Sequence, residues 1–264
     1  MPSNQFYLTL PSNSSKDYFP KNTVSSYTTH LARQIRLEGD GEWEMALVEA
    51  HYPCSFVTVS DESFIWLEYN LVLPGIPITA STEHIMLKMK SGYYKNIGDL
   101  LKMINSAKDV AQYLYFEYDK QLDRVKITTM VDGISDLHFS DALALQLGFD
   151  PYEEDLANNL TGVWSPNITM GLTTHMYVYC DLIEPQMIGD TTAPLLKIIN
   201  IDRDNYAHGA HKTVHFTSPH YVPVMKGTFE TIDIDLREHT GRKASFLFGT
   251  SYVKLHFKRA LLLQ

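Results

Sequence analysis

Short segments that alternate apolar and polar side chains fill both ends of this 264-residue chain. Gly, Pro, Asn and Ser turns cut them at roughly 8–12-residue spacing, the punctuation expected of an antiparallel sandwich. Residues 5–10, 23–37, 43–52, 64–72 and 84–89 read as strands in the first part of the chain, with turns at 11–15 and 38–41. Residues 175–182, 193–201, 212–216, 227–236 and 252–257 read as strands in the last part, with a turn at 239–242. In 43–52, Trp43, Met45 and Leu47 share one face while Glu44 and Ala46 share the other. Pro53 closes that strand, since proline donates nothing to a ladder. In 227–236, Phe229, Thr231, Asp233 and Asp235 oppose Ile232, Ile234 and Leu236. The apolar run 193–201 is expected to lie deep in the core. No strand–helix–strand rhythm links these segments, which argues against a parallel sheet. The 16 Tyr and 12 Phe suit half-buried pleated surfaces.

The middle of the chain has a different pattern. Ile97, Leu100, Leu101 and Ile104 follow helical spacing within 96–108, with Asn96 as N-cap. Residues 113–118 and 124–130 form a hairpin across 119–123, and a second helix at 140–147 starts at Ser140 and stops at Gly148. The expected fold is therefore mainly β: a single jelly-roll antiparallel sandwich interrupted by a small α+β insertion. The expected boundaries are 1–90 for the first part of the jelly roll, 91–155 for the insertion and 156–264 for the second part.

Charge and cysteine usage exclude several function classes. With 22 Lys and Arg against 31 Asp and Glu, the formal net charge is −9. Such a chain lacks the basic field that drives general phosphate binding, so sequence-specific nucleic-acid binding is not expected. Two cysteines, Cys54 and Cys180, do not make a disulfide framework. Residues 1–10 do not resemble a secretory signal, and no run reaches the roughly 20 apolar residues of a membrane helix. Sequons at Asn13 and Asn167 carry little meaning without a secretory route.

Candidate chemistry is sparse. His208, His211 and His215 have the spacing H-x2-H-x3-H near Asp204 and His220, a weak metal pattern because the segment reads as a loop. Asp202, Asp204, Asp233, Asp235, Glu153, Glu154 and Asp155 supply carboxylates, but acid–base work needs two of them facing across a cleft. Cys54 follows Pro53 without a reactive context and reads as a structural thiol. No G-x-S-x-G, Walker A loop or G-x-G-x-x-G is present. The expectation is no enzyme, no catalytic residue, no cofactor and no resident metal. Lys254, His256, Lys258 and Arg259 precede an apolar end, Ala260-Leu261-Leu262-Leu263, which reads as a tail that docks on a neighbour.

Four stretches together resemble a known family. They are Phe6-Tyr7-Leu8-Thr9-Leu10-Pro11 with Tyr18-Phe19-Pro20, Trp43-Glu44-Met45-Ala46-Leu47 through Tyr52-Pro53, Val178-Tyr179-Cys180-Asp181-Leu182 with Gly189-Asp190, and Thr228-Phe229-Glu230-Thr231-Ile232 through Val253-Lys254-Leu255-His256-Phe257. In that order they resemble the minor capsid, or penton, proteins of Polinton (Maverick) elements and of the related adintoviruses and virophages. The resemblance implies a jelly roll that forms homopentamers at the fivefold vertices of an icosahedral capsid. It implies two partners, the chain itself and a double-jelly-roll major capsid protein. The virion would be its destination, after synthesis in the host cytoplasm and assembly there or in the nucleus. The insertion would match a subdomain that some relatives carry between jelly-roll strands. The alternative reading is a jelly-roll binding module that recognises a host receptor or glycan through that insertion.

Overall fold

The computed structural model describes residues 4–37, 42–71, 81–153, 157 and 160–260. The chain divides into two units, residues 1–56 with 173–264, and residues 57–172. The first unit opens with β1 (Gln5–Pro11), β2 (Ser26–Arg36) and β3 (Trp43–Pro53). The second contains β4 (Phe64–Leu71), β5 (Ser81–Lys88), α1 (Ile97–Ser106), α2 (Lys108–Ala111), β6 (Leu114–Asp119), β7 (Arg124–Thr129), β8 (Ile134–Phe139), α3 (Asp141–Leu147) and a 3-10 turn (Ile168–Gly171). The chain then returns to the first unit through β9 (His175–Cys180), β10 (Gln186–Ile188), β11 (Thr191–Ala193), β12 (Leu195–Asn200), β13 (His211–His215), β14 (Val222–Pro223), β15 (Thr228–Glu238) and β16 (Tyr252–Arg259).

The first unit is a jelly roll. One sheet has the order β1-β16-β3-β13, with β14 also on β3, and the other has the order β12-β9-β15-β2. Setting aside the β10–β11 hairpin and β14, the eight remaining strands of this unit can be lettered B to I along the chain. The sheets then read B-I-D-G and C-H-E-F, two antiparallel layers woven from both halves of the chain. Aromatic rings couple the layers. Phe257 of β16 is fully buried, stacked at 4.7 Å on Phe6 of β1 and at 5.8 Å on Phe229 of β15. Met45, Leu47, Val178, Ile232, Ile234 and Leu255 complete the interior. Each such side chain contributes about 1.5–3 kcal/mol of transfer free energy on burial.

Two irregularities reset the alternation. Lys254 pairs with Glu49 but Leu255 with Leu47, so Val48 is an extra residue in β3. Beyond it the inward face passes from Met45 and Leu47 to Ala50 and Tyr52. Between Phe229 and Thr231 the β2 register slips as well, residues 31–34 standing opposite Glu230 alone. Phe229 thereby joins Ile232, Ile234 and Leu236 on the buried face. The expectation that it sides with Asp233 fails because a bulge shifts a strand's phase. The run 193–201 is also less buried than expected. Leu196, Ile199 and Ile201 are inside, but Ile198 is 40% exposed because β12 is an edge strand.

The inserted unit pairs β5-β4-β8 in one sheet and β6-β7 in a hairpin. Lys126 and the Gln121 and Leu122 amides hold the Asp119 carboxyl at the hairpin turn down to about 2. Because β4 pairs with β5 and β8, both early strands belong to the insertion, which spans 57–172 rather than 91–155. Strand spacing does not reveal which sheet a strand will join. Helix α1 starts at the expected cap, the Asn96 side chain accepting from the Asp99 amide at 2.9 Å, but it stops at Ser106. Ser140 does not cap α3 with its side chain; its hydroxyl accepts from the Phe64 amide at 3.1 Å and ties the helix to β4. Gln146 of α3 is fully buried and donates to the carbonyls of Thr58 at 2.6 Å and Ile168 at 3.0 Å. The turn expected at 38–41 and the apolar run 261–263 lie outside the described residues.

Gly148 ends α3 at φ +85, and a Cβ there would run into the Trp164 carbonyl. Gly189 has φ +60 with open space around it. Gly148→Ala is expected to lower stability in urea by more than about 2 kcal/mol, because the left-handed penalty of roughly 1–2 kcal/mol adds to the clash. Gly189→Ala should cost about that penalty alone. Equal losses in the two variants would contradict this account.

Candidate functional site

The polar chemistry of the jelly-roll unit concentrates on the outer face of the first sheet, where cross-strand rows place unlike groups side by side. One row runs Gln5, Lys258, Glu44, and the next runs Tyr7, His256, Ala46. A third runs Thr9, Lys254, Glu49, His215, and a fourth runs Tyr252, His51, Thr213. His256 is 6% exposed beneath Tyr7, which stacks on it at 4.3 Å. The Gln5 Oε1 lies 3.2 Å from its Nε2, and the Tyr221 hydroxyl lies 2.8 Å from its Nδ1. A carbonyl oxygen only accepts, so Nε2 carries the proton and Nδ1 accepts from Tyr221. Lys258 sits 3.7 Å from the centre of the Tyr221 ring and 3.1 Å from the Glu44 carboxylate.

His51 anchors the other end of this face. It stacks on Tyr252 at 4.8 Å and on His211 at 5.2 Å, and its Nδ1 lies 2.9 Å from the Thr213 hydroxyl. Tyr252 donates to Glu49 at 2.7 Å, and His215 lies 3.2 Å from the same carboxylate group. These contacts fasten the short edge strand β13 to β3.

The sequence candidates are dispersed over separate roles. His208 packs edge-on to Phe248 at 5.5 Å, His211 stacks on His51, and His215 faces Glu49. Among the described residues no three His, Cys, Asp or Glu side chains converge as a metal site requires. Asp233 accepts from Thr28 at 2.6 Å, Asp235 pairs with Arg237 at 2.6 Å, and Asp202 accepts from the Asn205 amide at 3.1 Å. Asp233 and Asp235 floor an open groove of about 530 Å³ lined by Tyr18, Lys21 and Lys243. Glu154 and Asp155 lie outside the described residues. Burial pushes the Cys54 thiol up and the Cys180 thiol up to about 12, which suits structural cysteines. Arg259 lies over the Trp43 ring at 5.7 Å.

The residues that sequence reasoning missed are Tyr7, Glu49, His51 and Tyr221. Glu49 and His51 share β3, while Tyr7 and Tyr221 lie far from them in the chain, and pairing with β16 and β13 brings Tyr7, Glu49 and His51 onto one face. Burial holds His256 below the ordinary imidazole value, with Lys258 adding to the effect. Burial and then His211 do the same to His51, partly offset by Glu49, and burial alone does so to His208. Each therefore binds its proton less readily folded than unfolded. Their contribution to stability is full above the unfolded value near 6.5 and is lost as pH falls through the window beneath it. The melting temperature of the jelly-roll unit is expected to drop between about pH 7.5 and pH 5. A His51→Gln/His256→Gln variant should lose less over the same range. A wild-type melting temperature that stays constant across the window would refute this.

No protein-family model matches the sequence, and no curated protein matches it. Among solved structures, 22 chains match. One is the selenomethionine-labelled mavirus penton protein, with a TM-score of 0.54 and 12% sequence identity over 98% of this chain and 100% of that one. Likeness at this level of identity shows a shared fold, and it extends along nearly the whole chain.

Proposed function

We propose that this chain is a minor capsid (penton) protein that assembles with copies of itself and with a double-jelly-roll major capsid protein. The observation that carries this reading is the B-I-D-G over C-H-E-F sandwich together with the end-to-end likeness to the mavirus penton protein. A structural role also agrees with the chemistry, since among the described residues no three His, Cys, Asp or Glu side chains converge and His211, His215 and Asp233 are each held by a neighbour. Charge supports self-association. Residues 57–172 hold 16 Asp and Glu against 8 Lys and Arg, leaving 15 against 14 in the jelly-roll unit. A nearly neutral unit approaches its own copies without strong mutual repulsion. The finer reading is a homopentamer at the fivefold vertices of a virion shell, made in the host cytoplasm and assembled there or in the nucleus.

Light scattering tests the assembly. Copies of 30.1 kDa should give a species of about 150 kDa for a closed ring of five. A chain that stays monomeric at high concentration and does not associate with the major capsid protein would overturn the proposal.

A second reading concerns the inserted unit. On the outer face of β5-β4-β8, Trp66 lies 5.5 Å from His84 and 5.3 Å from His138, with Met86 opposite it and more than half exposed. A half-buried Trp beside an exposed Met, flanked by polar groups, is the kind of patch that interface centres use. If this face recognises a host receptor or glycan, Trp66→Ala should abolish cell or glycan binding without changing the oligomer mass. Unchanged binding would reject the reading.

A further inference from the structure

The four edge strands of the sandwich differ in how they are protected. Edge strands expose unpaired amides and carbonyls, and isolated domains guard them with charges, prolines and bulges. Strand β2 carries Arg33 and Arg36 and the long register slip at residues 31–34. Strand β12 carries Lys197 and a register slip between Leu195 and Lys197. Strand β13 is short and carries Lys212. Strand β1, Gln5-Phe6-Tyr7-Leu8-Thr9-Leu10-Pro11, has no charged residue and no proline before its last position, and it pairs with β16 over seven consecutive residues without a slip. Among the described residues no strand pairs with its outer edge.

The flank next to that edge is apolar. The sheets are layered so that β1 lies on the same side as β2, the Tyr27 hydroxyl donating to the Leu10 carbonyl at 3.1 Å. Phe6 and Leu8 of β1 and Ile35 of β2 are only half-buried, although Phe6 and Ile35 adjoin core aromatics. The opposite flank, formed by β12 and β13, also exposes apolar surface. Ile198 is 40% exposed there, and Phe216 is half-buried under Lys197 at 5.1 Å. Different apolar patches on opposite flanks are what a head-to-tail ring requires, whereas a two-fold dimer requires one self-complementary patch.

We infer that the β1/β2 flank of one copy docks on the β12/β13 flank of a second copy, the next member of a ring, which covers the unguarded β1 edge. This names the contact surfaces of the self-assembly proposed above and rests on that reading.

Two variants and their mixture test it. Leu8→Lys aims a charge into the first flank, and Ile198→Lys places one on the second. Each alone should reduce the ring to monomers of about 30 kDa. Mixed in equal amounts, they should form only a dimer of about 60 kDa, because each retains one working flank. If Leu8→Lys loses its cooperative melting transition, Thr9→Lys at an exposed position of the same strand takes its place. Variants that keep the wild-type mass would overturn the docking surfaces and leave the assembly proposal standing. Monomeric variants that form no dimer on mixing would overturn the head-to-tail pairing. A monomeric wild type would overturn both.

Discussion

The jelly-roll unit depends on the coupling of its two layers through Phe257. That ring is fully buried in the centre of the first sheet, touching Phe6 on its own sheet and Phe229 on the other. Phe229 reaches it only because the register slip against β2 turns its side chain inward. Flat, uninterrupted pairing would have pointed Phe229 to solvent and left a void beside Phe257. A void of that size in a core removes dispersion contacts as well as transfer free energy. Bulges here are part of the packing solution, as they commonly are in sandwiches that must keep layers in contact while they twist.

The outer face of the first sheet follows a different logic. Its side chains form short rows of imidazole, phenol, lysine and carboxylate, each satisfied by the next. The arrangement gives His256 a hydroxyl partner, and burial together with Lys258 holds it below the ordinary imidazole value. Such a face binds its own strands together. The same rows explain how β13, which buries little of its own surface, stays attached to β3: His51 holds it through a stack and a hydroxyl contact.

Much of this architecture was legible from the residues. Period-two alternation located the strands, and the absence of helical crossovers excluded a parallel sheet. Asn96 and Gly148 marked helix ends because caps have strict backbone requirements. The limits of the insertion were not legible, since the strand at 64–71 has the same pattern whether its partner is β3 or β8. The bulges at Val48 and opposite Glu230 were hidden for a related reason. They are properties of two strands in register, and neither strand's sequence announces them alone. The site suffered most, because Tyr7 meets His256, and His51 meets Tyr252 and His211, only when strands distant in the sequence pair.

The position of β16 has a consequence for how the molecule is made. Among the described residues it follows every other strand in sequence, yet it lies between β1 and β3 and contributes the ring that links both layers. β1 and β3 acquire their central partner only when Tyr252–Arg259, from the other side of the inserted unit, docks between them. Until then the apolar side chains of β1 and β3 lack their native cover, and loop closure spans the entire unit. The interrupting residues 57–172, which have a hydrophobic interior of their own, can fold while this gap is still open. Closure of the sandwich therefore depends on β16, whereas the interior of residues 57–172 does not.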